Sequence, residues 1–155
     1  MAQSPSKDIS YLKISNDGDF PDWAPRDEIA RFFHETMKPY NDLLEDVESA
    51  LDYGLVPGCG QGGFLMLVHE NEKLLGALLM LRTGMGGYVP ENILLFVSVL
   101  PETRGRGIGG ELIRRSVAEC DGDVKLHVEY DNPAKRLYER LGFTSDYAEM
   151  RFKNS

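Results

Sequence analysis

Between Arg104 and Gly110 the chain reads Arg-Gly-Arg-Gly-Ile-Gly-Gly, four glycines and two arginines set just ahead of an apolar-periodic stretch. A helix starting there leaves the N–H groups of its first turn without partners. Its dipole also places roughly half a positive charge at that end. Glycine lets those amides approach an oxyanion, and arginine adds charge and forked hydrogen bonds. A diphosphate suits such a turn. No lysine and Ser/Thr follow to hold a γ-phosphate and its Mg²⁺, so the diphosphate would be a handle rather than a reacting group. Two other readings of the turn stay open. Gly105, Gly107 and Gly110 satisfy G-x-G-x-x-G, with Glu129 lying 19 residues beyond, which is the spacing of a dinucleotide fold. That fold sets its first glycine tight against a strand end, whereas Pro-Glu-Thr-Arg intervenes here. Alternatively, the glycines only let a strand and a helix pack closely, which leaves Arg104 and Arg106 unexplained.

The elements that must position this turn follow from periodicity. Residues 9–15 read as a short strand, and 24–37 and 41–55 as amphipathic helices. The apolar runs on either side of His69–Lys73 form a hairpin. Residues 92–100 are apolar on both faces, which predicts a central strand. The glycine turn then feeds a helix over 107–120. A period-2 strand over 124–130, a helix over 132–141 stopped by Gly142, and a closing strand over 145–152 complete the order. A mixed, mostly antiparallel sheet flanked by helices, of α/β or α+β class, is the expected architecture.

A diphosphate used as a handle is a property of coenzyme A. Arg104–Gly109 matches the R-x-x-G-x-G core of the GNAT (Gcn5-related) N-acetyltransferase family, and Val97–Thr103 resembles the strand that leads into it. Asp131–Phe143, reading DNPAKRLYERLGF, is similar to the family's second hallmark, a helix carrying Asn, Ala and Tyr before Leu-Gly-Phe. The inferred element order is also the family's order. The resemblance implies the GNAT acyl-CoA N-acyltransferase fold, a single domain over residues 1–155, and acetyl-CoA as cosubstrate. The reaction it implies is direct transfer of the acyl group to a primary amine in a ternary complex. A non-catalytic acyl-CoA-binding module is the alternative.

Residue by residue, the resemblance implies that the pantetheine arm pairs with Val97, Ser98 and Val99 like an added strand. The diphosphate would meet Arg104, Gly105, Arg106, Gly107, Ile108, Gly109 and Gly110, with either arginine able to reach the 3′-phosphate. Asn132 would contact the arm, although the common spacing falls on Asp131, and a residue before Pro133 is also a good helix cap. Tyr138 would be the general acid that protonates the leaving thiolate. The base stays open among His34, His69, Glu91, Glu102, His127 and Glu129. Cys59 lies in a glycine-rich loop and reads as a small residue rather than a nucleophile. The glycine-rich loops at 58–63 and 84–87 are expected to flex and admit the acceptor.

The whole chain sets bounds on these readings. With 155 residues it can bury about 70% of its unfolded surface and needs no metal or disulfide. The two cysteines lack metal-ligand spacing, and the first residues lack the apolar core of a leader, so a reduced, cytoplasmic setting is expected. No apolar run approaches the roughly 20 residues of a membrane span. The net charge of −8 is uneven. Residues 1–70 hold 13 acids against five Lys and Arg, while the remainder balances. Such a surface favours a cationic small-molecule or peptide amine and disfavours nucleic acid. Monomer and homodimer are both compatible with the sequence.

Overall fold

The computed structural model describes residues 8–154. Its elements are β1 (Ile9–Ile14), α1 (Arg26–Thr36), α2 (Leu44–Leu55), β2 (Gly63–Glu70), β3 (Lys73–Arg82), β4 (Asn92–Val99), α3 (Ile108–Ala118), β5 (Val124–Lys125) and α4 (Ala134–Arg140). The strands form one five-stranded sheet in the order β1-β2-β3-β4-β5. The first three pairings are antiparallel and β4–β5 is parallel. This α+β arrangement agrees with the expected class and removes the dinucleotide reading, which needs a run of parallel βαβ units.

The alternation of β2 and β3 divides the apolar residues between two cores. Leu65, Leu67, Ala77, Leu79 and Leu81 face α1 and α2, where Ile29, Phe33, Val47 and Leu51 are buried. Phe64, Met66, Leu78 and Met80 face α3, against Ile108, Leu112 and Ile113. Phe33, fully buried, meets Phe96 of β4 at 5.5 Å between ring centroids. Truncating such a ring to Ala typically costs about 3–5 kcal/mol. Arg26 ties the first core together at its margin, donating to Asp17, Glu48 and Asp52. Part of the N-terminal acid excess is therefore spent on joining α1 to α2 and to the preceding turn.

Two bulges break the alternation. Val68 faces Gly76 while His69 faces Leu74, so Leu75 is an extra residue and turns to the α3 side. Leu79 faces Phe96 while Met80 faces Leu94, so Leu95 is extra on β4. A bulge adds twist and bends its strand. The consequence appears on the other edge of β4, where β5 pairs only with Asn92 and Ile93, before the bulge.

Three expectations are corrected here. β4 is not central: it has a continuous partner on one side only, and β3 holds the middle of the sheet. The strand expected over 124–130 stops at Lys125, because the splay beyond Leu95 removes its neighbour. Residues 145–152 form no strand. Tyr147, Met150 and Phe152 are exposed there, and the Tyr147 ring rests on that of Tyr88. Apolar alternation records the capacity to be buried, and a strand also needs an edge within hydrogen-bonding distance.

Candidate active site

The site is built around the edge of β4 that β5 leaves open. The Leu100 N–H donates to Leu75 O at 2.8 Å on the β3 side. Successive residues of a strand turn their N–H and C=O to opposite edges. Ser98 therefore turns its backbone groups to β3, and its side chain is buried. Val97 and Val99 turn theirs to the open edge. Their side chains pack on the α3 core, as does the ring of Tyr138 from α4. Tyr138 thus lies on the same face of the sheet as the two residues whose backbone groups are free.

At its end β4 passes through the short turn Pro101–Thr103, fixed by the buried Thr103 hydroxyl donating to Leu100 O, into the glycine turn. Gly105 and Gly107 have φ of 87° and 78°, a region L-residues enter only at a cost. A Cβ at either would meet nothing within 4 Å, and at Gly109 or Gly110 only ordinary contacts at 3.6–3.9 Å. Close packing is therefore not why these glycines are needed. Gly105 and Gly107 shape an exposed turn, while Gly109 is half-buried and Gly110 buried. The first bond within α3 is Glu111 N–H to Gly107 O, so the amides of Ile108, Gly109 and Gly110 have no intrahelical acceptor. Ile108 is buried, with its side chain in the α3 core. Arg106 is exposed, and among the described residues its guanidinium makes no hydrogen bond or ion pair. Arg104 instead donates to Thr36 O at 3.1 Å and Val99 O at 3.5 Å. These groups fit a diphosphate with an extended amide-bearing arm: amides and a cation at one end, strand-edge donors and acceptors at the other.

Burial, reinforced by the charge of Glu129, pushes the Tyr138 phenol up to about 12. It is therefore a protonated donor throughout the neutral range. Asn132 accepts from the Ala134 N–H at 2.9 Å and donates to Glu129 Oε1 at 3.2 Å, so it both caps α4 and orients Glu129. Of the six sequence candidates for a base, His127 and Glu129 lie on the segment bordering the gap. Burial and Lys125 hold the His127 imidazole below its usual range, so it is neutral at pH 7. His34 is bonded through Nδ1 to Asp42 O. Glu102 sits exposed in the Pro101–Thr103 turn. His69 lies against Trp23 at the β2–β3 hairpin, away from β4, and Glu91 lies at the opposite end of the sheet, beside Asp123.

Two contributors were not foreseen from sequence. Tyr40, in the loop between α1 and α2, donates to Asp131 O at 3.2 Å, across 91 residues. Asp42, two residues on, has its carboxyl raised by burial and by the charges of Asp46 and Glu129. Neither belongs to a motif: Tyr40 fell between the two expected helices, and Asp42 fell inside the second, which begins only at Leu44. The loops 58–63 and 84–87 are not at this site. They line a cavity of about 280 Å³ with Cys120 and Asp121, at the end of the sheet away from the glycine turn. Among the described residues no group of three or more His, Cys, Asp or Glu is placed to hold a metal, and no helix is long and apolar enough to cross a membrane.

Comparison with known proteins bears on the same region. The profile of the acetyltransferase (GNAT) domain matches residues 61–145. A mycothiol acetyltransferase of Arthrobacter sp. (strain FB24) is 32% identical over 96 residues, which are 58% of this chain and 30% of that protein. The chain thus spans less than a third of that relative's length. Among solved structures, a possible acetyltransferase from Clostridium difficile 630 superposes with a TM-score of 0.65 at 22% identity, covering 95% of this chain and 98% of the other. An aminoglycoside N-acetyltransferase in complex with CoA superposes with a TM-score of 0.62 at 15% identity, covering 94% of each. At these identities the structural likenesses speak for the fold alone.

Proposed function

Because the chain is a member of the GNAT acetyltransferase family, we propose that it is an acetyl-CoA-dependent N-acetyltransferase acting on a cationic primary amine. One observation carries this reading: the open edge of β4 at Val97 and Val99 runs directly into the first turn of α3, whose amides lack intrahelical acceptors, with Tyr138 on the same face. Acetyl-CoA would supply the acyl thioester. The backbone groups of Val97 and Val99 would hold its arm by strand addition. The amides of Ile108–Gly110 and the guanidinium of Arg106 would hold its phosphates.

Tyr138 holds the proton that a leaving thiolate requires. A phenol raised to about 12 is a weak acid, but the burial that raises it also raises a thiolate in the same pocket, and this narrows the gap between them. The attacking amine must shed a proton, and His127 and Glu129 are the groups bordering the gap that can take it. Support for a cationic acceptor comes from Asp42, on which the charges of Asp46 and Glu129 act. Thermal-shift measurement with acetyl-CoA, NAD and ATP in parallel tests the cofactor, and thiol release across an amine panel tests the transfer. Stabilisation by acetyl-CoA with thiol release is expected. Stabilisation without release for any amine would make the protein a carrier-binding module, and stabilisation by NAD alone would overturn the reading.

A further inference from the structure

Besides the ion pair of Lys38 with Glu35 and the packing of Met37 on the first core, the segment 37–42 is held by three hydrogen bonds at its start, middle and end. At its start, Arg104 donates to the carbonyl of Thr36, the last residue of α1. That carbonyl is one of the helix-end acceptors without an intrahelical donor, and a cation there also meets the negative end of the dipole. In its middle, the Tyr40 hydroxyl donates to Asp131 O. At its end, Asp42 O meets the His34 ring at 2.9 Å. Arg104 follows β4, and Asp131 follows the segment that continues from β5, so 37–42 runs as a strap from one side of the gap to the other. Arg104 has a second acceptor, Val99 O, which belongs to the open edge itself.

We infer that Arg104 is a latch that couples occupancy of the β4 edge to this strap, an inference that rests on the reading of that edge as the acyl-carrier site. A guanidinium bonds a phosphate oxygen more strongly than a neutral carbonyl. Arg104 is exposed and two residues from Arg106, within the turn that would receive the phosphates. An arm lying along β4 also competes for Val99 O. Loading therefore draws Arg104 off Thr36 and removes the strap's first pin, while Tyr40 keeps the second. The strap loosens when the carrier binds, and the amine then enters beneath it. Arg104 acts here as a positioning residue.

Hydrogen exchange of the full-length protein, with and without CoA, tests this. CoA should slow exchange at Ile108–Gly110 and, in the opposite sense, speed it several-fold at 37–42. Arg104→Ala should show the fast strap already in the unliganded protein, with no further rise on adding CoA. Tyr40→Phe should also start fast but keep its CoA-dependent rise, since its latch is intact. If CoA protects α3 while the strap is unchanged or slowed, the coupling is wrong although the carrier site stands. If CoA protects nothing, the carrier site itself is wrong. An unliganded Arg104→Ala protein with a wild-type strap would overturn the latch whatever CoA does.

Discussion

The two ends of the sheet are both rich in glycine, and they differ in how far packing requires it. At the end holding 58–63 and 84–87, neighbours demand glycine at Gly60 and Gly63, while Gly58 and Gly87 answer only to φ of 86° and 79°. A Cβ on Gly63 would lie 2.1 Å from Met80 O, and one on Gly60 would lie 2.3 Å from the Tyr53 ring. At the other end, a Cβ on Gly105 or Gly107 would touch nothing, and glycine is demanded only by φ. Gly60 and Gly63 close the structure on itself, whereas Gly105 and Gly107 shape the turn into α3, whose first amides have no intrahelical acceptor. Glycine content alone does not separate a packing turn from a ligand-binding turn. The space around the missing Cβ shows which glycines packing requires, and the helix start that follows Gly107 sets its turn apart from those at Gly58 and Gly87.

The comparison can be broken most forcefully at Gly63. Gly63→Ala sets a methyl against a backbone carbonyl of its paired strand, and about 3 kcal/mol of stability should be lost. Denaturant unfolding would show this, with CoA affinity of the folded fraction unchanged. Tyr138→Phe should do the reverse: stability is kept, while kcat falls about 100-fold with little change in KM for acetyl-CoA. The pH profile sharpens this. Burial and Glu129 raise the phenol, so the donor is protonated below about 12 and lost only above it. The wild-type kcat should therefore show no fall due to Tyr138 up to about pH 10, against an unperturbed tyrosine near 10. Arg106→Ala should weaken CoA about tenfold and reduce the salt dependence of binding, because an exposed charge pair is screened. Smallest in consequence, a thiol reagent at neutral pH should label exposed Cys59 well before Cys120, whose thiol burial pushes up to about 11. Labelling of Cys59 should leave activity intact.

Periodicity made the hairpin β2–β3, the strand β4 and the helix α3 legible in the sequence, because each buries a continuous stripe. The glycine turn was legible because four glycines and two arginines are unusual ahead of a helix, and Tyr138 was singled out only by the resemblance of Asp131–Phe143 to the family's second hallmark. The gap beside β4 was not. It depends on a bulge at Leu95, inside a run of apolar residues where one extra leucine changes no pattern. Tyr40 was hidden for a related reason: a loop residue that finds its partner 91 positions away leaves no local periodicity. The strand expected over 145–152 shows the converse, since alternation is present there and pairing is not.

The central claim is that the carrier binds along Val97–Val99 and the mouth of α3, and amide chemical shifts followed by NMR during a CoA titration test it most directly. The largest changes should fall on Val97, Val99 and Arg106 to Gly110, with Gln61, Gly84 and Asp121 unmoved. Changes centred on those last three residues, with the glycine turn silent, would contradict it.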